Sequence, residues 1–107
     1  MLHLATFVDL REFVRQVLCI RANVDFETPL VDSALLRQGR PCGIEFVLLG
    51  PQSLRLSAIW EAFGDRILFY DQQLERFQVT RVRGPDVAMI PLRPRQDVPT
   101  KSVWKGK

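Results

Sequence analysis

Apolar positions along residues 43–82 recur as short runs separated by turn-forming residues at nearly even spacing, a pattern typical of a continuous antiparallel meander. The turn signals are the Gly50-Pro51-Gln52 stretch, the loop at residues 62–65 and the stretch at residues 72–74. A glycine- and proline-rich turn at residues 39–43 precedes the meander and makes residues 34–38 its first strand. The pattern therefore predicts five antiparallel strands.

A helix is predicted before the strands, over residues 10–21. Its apolar positions form one stripe at helical spacing, consisting of Leu10, Phe13, Val14, Val17 and Leu18. Asp9 and Glu12 have the spacing of a capping box, which places the first helical turn directly after Asp9. Arg11, Arg15 and Gln16 fall off the stripe, so we expect the stripe alone to pack on the sheet.

Strand register can be predicted because side chains alternate between the two faces of a sheet, and a slip of one residue exchanges the faces. The expected cross-strand pairs are Arg37 with Glu45, Phe46 with Leu56, Ala58 with Phe69, Glu61 with Arg66, Ile67 with Val79, Phe69 with Phe77, and Tyr70 with Arg76. The last pair is also expected to form an exposed cation–π contact.

These registers divide the strand residues between two faces. The face expected to form the core with the helix carries Leu36, Ile44, Phe46, Leu48, Leu54, Leu56, Ala58, Trp60, Ile67, Phe69, Phe77 and Val79. The second face carries Arg37, Glu45, Arg55, Glu61, Arg76 and Gln78 together with Leu35, Val47, Leu49, Ile59, Leu68, Tyr70 and Val82. One helix covers one face, so the apolar second face implies barrel closure, a partner subunit, or coverage by the C-terminal segment.

The predicted fold class is α+β, with an N-terminal helix packed on a five-stranded antiparallel meander that forms a strongly bent sheet or a small barrel. A chain of 107 residues is long enough for one core. We expect a single domain over residues 1–90. Residues 91–107 are predicted to form a C-terminal arm or tail, because Pro91, Pro94 and Pro99 disfavour a helix or a central strand there.

Composition narrows the functional classes only a little. Hydrophobic residues make up 47% of the chain and charged residues 25%, which is typical of a folded globular protein. The apolar runs are far shorter than a membrane helix requires, and the N-terminus lacks the basic start of a secretory signal, so we expect a cytoplasmic protein without a membrane segment. The net charge of the chain is +3. Its basic residues interleave with acidic ones, and its three lysines lie near the C-terminus.

Candidate chemistry is sparse. The single histidine, His3, and two cysteines without CxxC spacing, Cys19 and Cys42, argue against a metal site and against a Cys/His nucleophile. We expect reduced thiols, although a Cys19–Cys42 disulfide remains open. Asp71 is interpreted as a turn-initiating residue, and the phosphate-binding and nucleophile-elbow motifs are absent from the sequence. We therefore expect neither a catalytic residue nor a cofactor.

The functional expectation is a non-catalytic protein-interaction or assembly module. We expect a homo-oligomer formed through the second face, at Val47, Leu49, Ile59, Leu68 and Tyr70. One alternative is a nucleic-acid-binding small barrel that uses Arg37, Arg55, Arg76 and Tyr70, against which the interleaved Glu45 and Glu61 argue. Further alternatives are a small-ligand pocket between helix and sheet, and an unidentified protein partner anchored by Trp104.

Overall fold

The computed structural model describes residues 1–90, which form one helix and a six-stranded mixed sheet. The elements are β1 (Leu2–His3), α1 (Phe7–Ala22), β2 (Leu30–Arg37), β3 (Arg40–Leu49), β4 (Arg55–Glu61), β5 (Arg66–Tyr70) and β6 (Arg76–Arg83), with short 3₁₀ turns at Pro51–Ser53 and Val87–Met89. The α+β class and the antiparallel meander from β2 to β6 are confirmed. The expected arm at residues 91–107, including Trp104, lies outside the described residues.

The strand count of five is wrong, because β1 adds a sixth strand in parallel pairing with β6. Leu2 lies beside Val82, and the backbone N–H of Leu4 donates to the carbonyl oxygen of Arg83 at 2.9 Å. A strand of two residues is too short to show any period in the sequence. The strand order is β1-β6-β5-β4-β3-β2, so within residues 1–90 the sheet is open, with β1 and β2 as its edges, and is not a closed barrel.

The helix begins one turn earlier than predicted. Thr6 is its N-cap and forms the capping box with Asp9: the Asp9 N–H donates to Thr6 Oγ1 at 3.0 Å, and the Thr6 N–H donates to Asp9 Oδ2 at 3.3 Å. The earlier start brings Phe7 onto the helix, where its ring stacks on Phe46 with centroids 6.5 Å apart. Asn23 ends the helix in the left-handed conformation.

Two arginines outside the apolar stripe of α1 connect the helix to β2. Arg11 Nε lies 3.2 Å from Asp32 Oδ2, and its guanidinium also donates to the carbonyl oxygen of Leu30. Arg15 donates to two carbonyl oxygens of the connection before β2, at 2.6 and 2.7 Å. These bonds satisfy backbone acceptors that helix and strand leave unpaired. The arginines therefore hold edge strand β2 against the helix.

The β4–β5 register is confirmed, with Ala58 opposite Phe69 and Glu61 opposite Arg66. The β3–β4 register differs by two residues, since Phe46 lies opposite Ala58. A 3₁₀ turn lengthens this connection. A shift of two residues leaves every side chain on its expected face, so Phe46 remains in the core.

The β5–β6 register is correct at Tyr70 and Arg76 and then departs by one residue, because the ladder carries a β-bulge between Phe69 and Tyr70. Beyond the bulge the faces are exchanged relative to the prediction. Val79, expected in the core, lies opposite Leu68 on the other face and is 47% exposed. Val82, expected on the second face, is fully buried in the core.

The β2–β3 hairpin also differs from the prediction. Its turn consists of Gln38 and Gly39, both in the left-handed region (φ 52° and 78°), as a two-residue hairpin turn requires. Pro41 lies in β3, not in the turn, and Leu36 beside it is exposed and outside the core. Glu45 consequently lies opposite Ser33, and Arg37 lies opposite Arg40.

Trp60 lies on the core face near the end of β4 and is 1% exposed. The backbone of Gly84 packs directly on its indole, since a Cβ at Gly84 would lie 2.5 Å from Trp60 Cζ2. The chain then continues over the same face, where Val87 and Ile90 join the core cluster with α1. Residues 84–90 therefore cover the core face and not the opposite one.

We expect Gly84→Ala to lower the free energy of unfolding by roughly 1–3 kcal/mol, the usual cost of overpacking a core. Gly64→Ala is the matched control, because its added Cβ would meet the flexible end of Glu61 at 3.0 Å in an exposed turn. Urea denaturation monitored by circular dichroism measures both. Equal midpoints for the two variants would contradict the close packing of residue 84 on Trp60.

Candidate functional site

The face of the sheet opposite α1, here called the outer face, carries all five residues predicted to form an interaction surface. Its cross-strand rows are Val31-Val47-Ser57-Tyr70-Arg76, then Ser33-Glu45-Ile59-Leu68-Val79, then Leu35-Gly43-Glu61-Arg66-Arg81. Leu49 lies on the same face in a further row, opposite Arg55 and nearer the β3–β4 turn. The outer face thus carries a band of apolar side chains that Ser57 and Glu45 interrupt, with further charged side chains at both ends.

Leu68 lies at the centre of this band. It is 5% exposed although it is not part of the core cluster, because its cross-strand neighbours Ile59 and Val79 flank it on the outer face. The apolar edges of the band are open: Val31 is 44% exposed and Val79 47%. Among residues 1–90, α1 and residues 84–90 both pack on the core face, so neither covers the band.

The residues predicted for nucleic-acid binding fall into two groups. Tyr70 and Arg76 are direct cross-strand partners, and Arg55 lies at the same end of the sheet, where its N–H donates to Gln72 Oε1 at 3.0 Å. Arg37 lies at the opposite end. Its cross-strand partner Arg40 is seven residues along β3 from Val47 in the Tyr70–Arg76 row, or roughly 23 Å at about 3.3 Å per residue, and nine residues from Leu49, the partner of Arg55. Arg55, Tyr70 and Arg76 therefore lie at one end of the sheet, and Arg37 lies at the other.

The cation–π contact found within residues 1–90 is not the expected Tyr70–Arg76 pair. It is formed by Arg21 at the end of α1, whose Cζ lies 4.5 Å from the centroid of the Phe77 ring. Arg21 also lies 3.8 Å from Asp71 Oδ2. These contacts join the C-terminal end of the helix to the β5–β6 hairpin.

A cleft of about 750 Å³ opens at the end of the sheet where the β2–β3 hairpin, the β4–β5 loop and residues 87–88 meet. Leu35, Ile59, Trp60 and Phe63 contribute apolar walls. Arg37, Gln38 and Arg40 line the cleft from the hairpin. None of the lining residues belongs to α1, so this cleft is not the helix–sheet pocket that the sequence suggested.

The sequence missed this cleft because Arg40 and Pro41 were assigned to a turn. The signal that could have located the hairpin is the Gln38-Gly39 pair, which suits a two-residue turn with left-handed residues. The contribution of Val87 and Ala88 could not be read from any local pattern. Their place depends on the packing of Gly84 on Trp60.

Both cysteines are free. Cys42 is half-buried, lines the cleft, and its Sγ lies 3.5 Å from the carbonyl oxygen of Leu35. Cys19 is fully buried between α1 and the sheet, and this burial raises the pKa of its thiol above the ordinary value. The two thiols therefore differ in access.

The carboxylates of Asp71 and Glu61 make local contacts. Asp71 Oδ1 accepts hydrogen bonds from the N–H groups of Gln73 and Glu75, each at 3.0 Å, which confirms Asp71 as a turn-initiating residue. Glu61 Oε1 lies 2.6 Å from Arg66 Nε. Within residues 1–90 no three His, Cys, Asp or Glu side chains group so as to hold a metal ion.

The helix of this part of the chain is neither long nor apolar enough to cross a membrane. Comparisons with protein-family models, with curated proteins and with solved structures yield no match to this chain. Two surfaces of residues 1–90 remain as candidate sites: the outer face, with its exposed apolar side chains, and the cleft, with its apolar walls and arginines.

We expect a thiol reagent to label one cysteine per folded chain, at Cys42. The reactive species is the thiolate, and burial keeps Cys19 both inaccessible and protonated. Intact-mass spectrometry of wild type, Cys42→Ser and Cys19→Ser checks this, with labelling of denatured protein as the control. Loss of native labelling in Cys19→Ser but not in Cys42→Ser would contradict the assignment.

Proposed function

We propose that this protein is a non-catalytic assembly module that self-associates through the outer face of its sheet. The observation that supports this proposal is the apolar band centred on Leu68, which neither α1 nor residues 84–90 cover. Isolated exposed apolar residues are ordinary on protein surfaces, but a contiguous patch is typical of an interaction site. A cytoplasmic location belongs to the same proposal, since free Cys19 and Cys42 suit a reducing compartment.

A second copy of this chain is the partner that the distribution of charge favours. In a two-fold interface the same patch packs against itself, so the apolar side chains of Ile59, Leu68 and Val79 suit self-pairing, with Glu45 beside Ile59 and the arginines at the ends. Leu68 and Val79 would lie near the two-fold axis, and Arg55 and Arg76 at the rim. The contact would resemble the packing of two sheets in a β-sandwich, where side chains of the facing sheets interdigitate.

Nucleic-acid binding is the weaker alternative. A groove that follows a phosphate backbone needs basic residues in a continuous track, and Arg37 lies at the far end of the sheet from Arg55. Glu45 and Glu61 lie on the same face between these arginines and reduce its positive potential. The apolar centre of the face fits a protein surface better than a phosphate backbone.

We expect an oligomer that persists in high salt, since burial of apolar area is not screened by ions. Val79→Arg should dissociate it, because the new charge would be desolvated at the centre of the interface. Leu68→Arg should do the same. Val79 is already 47% exposed and so tolerates the larger side chain in the monomer. The matched control is Val8→Arg, at an exposed position on the helix.

Light scattering after size-exclusion chromatography, at low and high salt and with absorbance at 260 and 280 nm, distinguishes the possibilities. Dissociation of the Val79→Arg protein with an unchanged Val8→Arg protein is the expected result. A wild-type monomer at high concentration, or an oligomer unaffected by Val79→Arg and Leu68→Arg, would reject the interface. A salt-sensitive species carrying 260 nm absorbance would favour the nucleic-acid alternative.

A further inference from the structure

We propose that the cleft at the end of the sheet binds a small molecule that combines an apolar body with a single carboxylate. The cleft volume of about 750 Å³ falls in the range of small-molecule sites. Its walls are largely apolar, with a few polar side chains at one end, which is the usual composition of such sites.

Two like charges lie directly opposite each other in the wall of the cleft. The two-residue turn makes Arg37 and Arg40 direct cross-strand partners, and both line the cleft. Like charges at directly opposed positions destabilise a β-ladder. Within residues 1–90 neither arginine forms an ion pair, and Glu61, the carboxylate in the cleft wall, is held by Arg66. A bound anion would relieve the repulsion between Arg37 and Arg40.

The side chains that line the cleft favour a carboxylate over other anions. A guanidinium presents a planar fork of donors that matches the two oxygens of a carboxylate. Glu61 lies in the same wall and, although Arg66 partly offsets its charge, it disfavours a second negative charge on the ligand. A singly charged carboxylate therefore fits better than a doubly charged phosphate.

Apolar side chains in the cleft wall would contact the apolar body of the ligand. Phe63 lines the cleft and is 77% exposed, and Leu35 and Ile59 line it from β2 and β4. An apolar chain placed against these side chains would remove their surface from water. Ile59 also belongs to the proposed interface, but the arginines do not, so binding and self-association can be tested separately.

The test uses decanoate and decyltrimethylammonium, which have matched tails and opposite charges, each below its critical micelle concentration. Isothermal titration calorimetry on the full chain should show one saturable site for decanoate. Arg40→Gln should raise the dissociation constant about tenfold or more, the usual effect of removing a charge-assisted hydrogen bond. Arg76→Gln, at the other end of the sheet, is the matched control and should leave the constant unchanged.

A second readout uses Trp60, which lines the cleft. In a Trp104→Phe background Trp60 is the remaining tryptophan, so decanoate should change its fluorescence with the same dissociation constant. The thermal stability of unliganded Arg40→Gln should equal or exceed that of wild type, because the substitution removes a like-charge contact. The Val79→Arg protein should bind decanoate as wild type does.

Several results would overturn the proposal. These are the absence of saturable decanoate binding, equal affinity for decyltrimethylammonium, and equal weakening by Arg76→Gln and Arg40→Gln. Loss of binding in Val79→Arg with retention in Arg40→Gln would place the decanoate on the outer face and reject the cleft. None of these outcomes depends on whether the wild-type protein self-associates.

Discussion

The close packing of the Gly84 backbone on the Trp60 indole determines where residues 84–90 lie. Only a residue without a side chain can approach the ring so closely, and this contact directs the chain across the core face after β6. Val87 and Ile90 then complete the core beside α1. One consequence is that residues 84–90 are not available to cover the outer face. Another is that Val87 and Ala88 close one side of the cleft.

The arginines show how one residue type serves different purposes in a small domain. Arg11 and Arg15 lie outside the apolar stripe of α1, yet both are engaged with β2 or the connection before it. Their contacts satisfy backbone carbonyl groups at a sheet edge, where pairing is otherwise incomplete. Arg37, on the same edge strand, and Arg40, its cross-strand partner in β3, make no such contacts within residues 1–90. Hydrogen bonds and ion pairs to the rest of the fold, and not charge alone, distinguish the structural arginines from the candidate ligand-binding ones.

The errors in strand register differ in their consequences. The β3–β4 register was displaced by two residues, and because side chains alternate with a period of two, Phe46 remained in the core. The bulge in β5–β6 displaced the register by one residue and exchanged the faces of Val79 and Val82. That exchange extends the apolar band of the outer face beyond Leu68. A bulge is a property of two paired strands, so neither strand's own sequence reveals it.

The sequence by itself determined the α+β class, the meander, the apolar stripe of α1 and most of the core face. These features follow from local periodicity, which any segment carries within itself. It also assigned Val47, Leu49, Ile59, Leu68 and Tyr70 to the face opposite the helix. The cap at Thr6 was missed although its hydrogen bonds to Asp9 are local. Only the tertiary structure decided the pairing of β1, the bulge and the cleft. Each of these depends on contacts between segments distant in sequence, and such contacts leave no period in the chain that forms them.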